Sequence, residues 1–131
     1  MREQPNGPDL LAIARDVLKQ SILPALPKDK VYEALMIANA MAIASRQYAE
    51  QPLAQEWQQL ESLLSAEQLA QIASEATELA DKVKLATEAL VSNIRAGKFD
   101  QPGQSGGQLK DFLSWQVLQR LKESNPKALP K

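Results

Sequence analysis

The 131-residue chain contains no cysteine and no histidine. The first absence excludes disulfides, thiolate nucleophiles and cysteine-ligated zinc or iron–sulfur sites. The second removes the commonest metal ligand and the one side chain that titrates near neutrality unaided. Within one chain, Ser–His–Asp triads, Glu-x-x-His di-iron sites and HExxH zinc sites are therefore impossible. Most enzyme classes rest on one of these tools. The expectation is a protein that is not an enzyme and that carries no metal and no cofactor.

Aromatic residues are also scarce, at 5%, and no run of β-branched residues alternates with a period of two, so strands are not expected. Long hydrophobic runs are missing. The most apolar stretch, residues 31–45, is interrupted by Glu33 and Asn39, and a bilayer span needs about 20 apolar residues. The opening residues MREQPNGPDL show neither an apolar h-region nor a small-residue cleavage site. The reading is a cytoplasmic protein without a membrane segment.

Charge of one sign is missing too, since the net value is −1, and nucleic acid is not expected as a partner. The distribution is less even than the total. Residues 47–81 carry seven acids and no base, whereas residues 82–131 carry nine bases and four acids. Solvated helix faces explain this at little energetic consequence, because exposed ion pairs contribute only about 0–1 kcal/mol each.

What is present reads as helix throughout. Asn6 or Gly7 caps a first helix that starts at Pro8, and Leu10, Leu11, Ala14, Val17, Leu18 and Ile22 form its apolar stripe. Pro24 and Pro27 stop it. A second helix over about 29–50 is apolar nearly all round, the pattern of a central element covered on several sides. A third covers about 52–64. Ser65 and Gln68 then have capping-box spacing. Behind them Leu69, Ile72, Ala76, Leu79, Val83, Ala86, Leu90 and Ile94 keep one helix face up to Gly97, a left-handed stop.

Unbroken, that fourth helix would be about 45 Å long, against a diameter of roughly 36 Å for a compact domain of this size. It must therefore break, with Asp81–Lys84 as the expected place, or overhang and pack on a second protomer. A homodimer is the expectation that follows. The flexible connection at 97–107 precedes a last helix that ends near Ser124, ahead of Asn125-Pro126. The fold expected is all-α: a single domain over 1–131, an irregular or orthogonal bundle of about five helices around the second.

Candidate chemistry is thin. Residues 103–107, GQSGG, match the G-x-S-x-G nucleophile elbow, but no strand precedes the serine and no histidine exists to activate it, so a linker and helix cap is the reading. Glu75, Glu78 and Asp81 recur at helical spacing without enough convergent oxygens for a cation site. Trp57 and Trp115 read as core or interface anchors.

Asn39 is the sharper candidate. Its helical neighbours Leu35, Met36, Ala42 and Ile43 are all apolar, and Tyr32 and Arg46 lie two turns away on the same side. A buried amide left unpaired costs on the order of 1–3 kcal/mol. Asn39 is therefore expected to be buried and bonded to another segment, with Arg95 or the 125–129 tail as partner, or to be a polar handle inside a ligand cavity. Tyr32, Asn39, Arg46 and Arg95 are the candidate ligand or partner residues.

Several stretches carry a resemblance: Leu10-Leu11, Arg15, Leu18, Leu23-Pro24-Ala25-Leu26, Ala38-Asn39-Ala40, Ile43, Arg46, Ile94-Arg95-Ala96-Gly97 and Leu121 through Asn125-Pro126 to Leu129. In these the chain resembles a bacterial family of short helical domains of unknown function. Genes of that family lie beside aminoglycoside-phosphotransferase-like kinases and acyl-CoA dehydrogenases. The sequence departs from the pattern at Gln4, where the family has Arg, at Gln47, where it has an acid, and at Lys122, which follows Leu121 instead of preceding it. The resemblance implies no catalytic residues. It implies an accessory or interaction protein serving such a kinase-like or acyl-CoA enzyme, with a small acyl- or CoA-type ligand as the alternative.

Overall fold

The computed structural model describes residues 4–49 and 52–131. Among them every regular element is helical and no strand occurs, as the sequence leads one to expect. The α-helices are α1 (Gly7–Val17), α2 (Val31–Ala49), α3 (Leu53–Leu63), α4 (Ala66–Glu75), α5 (Leu79–Arg95) and α6 (Gln104–Ser124). They form two compact units, one of residues 1–51 with 119–131 and one of residues 52–118.

The first unit is a helical hairpin. Asn6 caps α1 by accepting a 3.0 Å hydrogen bond from the Asp9 amide, which satisfies one of the free donors of the first turn. The chain then widens through a π turn at Leu18–Ile22 and tightens through a 3-10 turn at Leu23–Ala25. Two bonds set the register of α1 on α2. Arg15 Nε donates to the Ala38 carbonyl at 3.1 Å, and Ser45 Oγ donates to the Pro8 carbonyl at 3.2 Å. The residue numbers of each pair add to 53, so the helices are antiparallel.

This hairpin has almost no interior. Ala34 and Ala38 are its only fully buried apolar side chains among the described residues, and α1 has none. Within this unit α2 is therefore not covered on several sides. Leu35, Met36, Ile37 and Tyr32 are all exposed, the last at 72%. A helix that is apolar all round needs neighbours on more than one flank, and in its own unit α2 has α1 and the chain end.

The second unit is built around a genuine core. Leu60, Leu63, Ile72, Val83, Ala86, Leu90 and Phe112 form one buried cluster, flanked by half-buried Trp57, Leu109 and Trp115. Both tryptophans therefore take the anchoring role their amphipathic settings imply, and the Phe112 and Trp115 rings stack with centroids 6.2 Å apart. The Ser65–Gln68 capping box forms as expected, with Ser65 Oγ accepting from the Gln68 amide at 3.2 Å and Gln68 Oε1 accepting from the Ser65 amide at 3.1 Å.

The long apolar stripe of 66–96 breaks, but not at Asp81–Lys84. Ala76 is extended, at φ −134° and ψ 136°, and α5 restarts with Glu78 as its N-cap. No Gly or Pro marks the place. Ile72, Ala76 and Val83 are all buried, so the reversal lets both arms turn the same stripe onto one core. Gly97 ends α5 with φ 78°, the left-handed conformation that its position implies. The following helix begins at Gln104, so Ser105, Gly106 and Gly107 lie in its first turn.

Candidate functional site

A buried amide exists, but it is Asn93 and not Asn39. Asn93 is 5% exposed and is the buried polar residue of the second unit. Its Nδ2 donates to Gln68 Oε1 at 3.1 Å, while Gln68 Nε2 donates back to Asn93 Oδ1 at 2.9 Å. The two carboxamides are mutually satisfied, and Gln68 simultaneously closes the capping box of α4. A signal for this was available. Val83, Ala86, Leu90 and Asn93 are spaced 3, 4 and 3 along α5 and all are buried, so Asn93, and not exposed Ile94, continues the core line.

Asn39 is exposed, which corrects the expectation of burial. It stands about 100° around the helix from buried Ala38, enough to turn it off the contact with α1. Its favoured partners are not beside it in the hydrogen-bond pattern. The chain end reaches α2 further on, where half-buried Arg46 Nε donates to the Glu123 carbonyl at 2.6 Å. Arg95 is exposed at the end of α5, in the other unit.

Tyr32, Leu35, Met36 and Asn39 nevertheless share a side of α2, and all four are open to solvent. Two polar side chains amid large apolar ones, with a tyrosine and a methionine among them, have the composition of an interface patch. Arg46 borders it and is fixed by its bond to Glu123. Three of the four candidate residues thus share one surface of the first unit, and Arg95 belongs to the second unit.

Other candidates resolve simply. The helix break puts Glu75 in α4, Glu78 at the N-cap of α5 and Asp81 in its first turn, and among the described residues no three acidic side chains converge. Ser105 is exposed in the first turn of α6. In the second unit a groove of about 520 Å³ runs along α6, lined by Gly106, Leu109, Lys110, Leu113, Val117 and Leu118. Its walls are apolar, and neither Asn39 nor the other three candidates are among the described residues that line it.

The family model described as Domain of unknown function (DUF6285) matches residues 24–128. The chain belongs to the DUF6285 family. The DUF6285 match takes in α2 through α6, including Asn39, Arg46 and Arg95, and starts after α1. Comparison with curated proteins and with solved structures gives no match. No helix of the described residues is long and apolar enough to cross a membrane.

Proposed function

We propose that this DUF6285 chain is a non-catalytic accessory protein that docks on a partner enzyme through the Tyr32–Leu35–Met36–Asn39 side of α2. The observation that carries the reading is the exposure of that side, with Tyr32 at 72% and Met36 at 51%. An apolar patch rimmed by polar groups is the usual mark of a protein-binding site. The chain offers neither imidazole nor thiol, which is in keeping with a binding and not a chemical role. The resemblance noted above supplies the client class, a bacterial kinase of the aminoglycoside-phosphotransferase type or an acyl-CoA dehydrogenase, in the cytoplasm.

Affinity co-purification at native expression tests this. The expected result is recovery of one of those two enzymes with the wild type, and its loss from Met36→Glu and Asn39→Arg variants that keep their helicity. Recovery of the chain without either enzyme would count against the reading.

The groove along α6 favours one alternative. Leu109, Leu113, Val117 and Leu118 present an open apolar strip along α6 with Lys110 beside it. An acyl chain with an anionic head group suits those walls. Titration with a fluorescent fatty-acid probe checks it, with Leu113→Glu expected to abolish binding; an unbound probe ends the idea.

A further inference from the structure

A second face of the hairpin is open, on the other flank of α2. Leu10, Ile13 and Val17 follow one another at three and four residues on α1, and all are exposed. Ile37, Met41, Ala44 and Tyr48 follow at four, three and four on α2, with Ile37 and Tyr48 exposed and the two between them half-buried. These are heptad spacings, the kind that form a seam between packed helices. At about 100° per residue, the α1 row lies roughly 145° behind the half-buried line of Pro8, Leu11, Arg15 and Leu18, and the α2 row roughly 70° behind the buried line of Ala34 and Ala38, in the same rotational sense. For an antiparallel pair of right-handed helices, that puts both rows on one side of the hairpin.

We propose that a second copy of this chain covers this face, so that two hairpins pack as an isologous four-helix bundle. Two seams of heptad spacing side by side call for two seams opposite, and a two-fold axis supplies them from the same sequence. The area is sufficient. Leu10, Ile13, Val17 and Ile37 are each just over half exposed and Tyr48 is 68% exposed. At about 100 Å² for each aliphatic and roughly 150 Å² for the tyrosine, the face offers about 550 Å² per copy, or about 1,100 Å² for the pair. A specific interface needs about 1,000 Å². The hairpin also gains from the cover, because the two buried alanines among its described residues make no core. This pairing is independent of the client-enzyme reading, which uses the opposite flank of α2.

Sedimentation equilibrium and light scattering on the full chain test the proposal. The expected mass is twice 14.4 kDa, held at concentrations up to about 100 μM, where even micromolar dimers are populated. Val17→Glu and Ile37→Glu are expected to reduce it to the monomer with unchanged helical circular dichroism, whereas Met36→Glu leaves the dimer intact. Should the glutamate variants unfold, Val17→Ala and Ile37→Ala are each expected to weaken dimerisation at least tenfold. A monomeric wild type overturns the proposal, as does a dimer whose dissociation constant none of the four substitutions moves. So does a wild type that is monomeric alone and uses this face only for a foreign protein.

Discussion

Gln68 and Asn93 close a ring of two amide hydrogen bonds, 2.9 Å in one direction and 3.1 Å in the other, from α4 to α5. Gln68 Oε1 accepts not only from Asn93 Nδ2 but also from the Ser65 amide. One side chain therefore ties the start of α4 to the last turn of α5, across the reversal at Ala76–Glu78. A polar pair at that place fixes how the two arms meet, which apolar contacts alone specify loosely.

The pair is expected to behave as a unit. Asn93→Ala should lower unfolding stability by about 1–3 kcal/mol, since Gln68 then loses its partner in a half-buried setting. Gln68→Ala should cost at least as much, because it also opens the capping box. In a double-mutant cycle by urea denaturation, the coupling is expected at about 1 kcal/mol. Strict additivity would sink the assignment.

Burial separates Phe112 from Asn39. Phe112 is 2% exposed, and Phe112→Ala should cost about 3–5 kcal/mol through lost transfer energy and a residual cavity. Asn39→Ala should change monomer stability by no more than about 0.5 kcal/mol, as for other exposed positions. Chemical denaturation of both variants decides it, and an Asn39 penalty near that of Asn93 would contradict the exposed placement.

Glu78 caps α5 with extended backbone but no side-chain hydrogen bond to the helix. A shorter carboxylate reaches the amides two and three residues on. Glu78→Asp is therefore expected to raise stability by about 0.5–1 kcal/mol, read as an upward shift of the thermal midpoint. A lowered midpoint would mean that Glu78 has another role.

Gly97 has φ 78°, and a Cβ built there would lie 2.9 Å from Asp100 Oδ2. Gly97→Ala should lower stability by about 1–2 kcal/mol from left-handed strain, whereas Gly103→Ala, where a Cβ meets nothing within 4 Å, should not. Equal effects at the two positions would show that the turn relaxes.

Much of this molecule follows from local rules. Helix formers without strand alternation make the chain all-α, Asn6 and Ser65 cap where capping residues belong, and Gly97 and Asn125-Pro126 end helices where their backbone limits demand it. These signals act within a turn or two of chain, so they are legible without a fold. Three matters are not of that kind. The reversal at Ala76–Glu78 carries no Gly or Pro, and its place is set by which residues of one continuous stripe reach a common core. Asn93 is buried and Asn39 exposed because what lies against each helix depends on segments far away in sequence: Gln68 stands 25 residues from Asn93. The all-round apolar pattern of α2 marks a helix to be covered, yet within its own unit α1 and the chain end cover only part of it. Local chemistry decides where a helix starts and stops, and only long-range packing decides which of its faces is left for a partner.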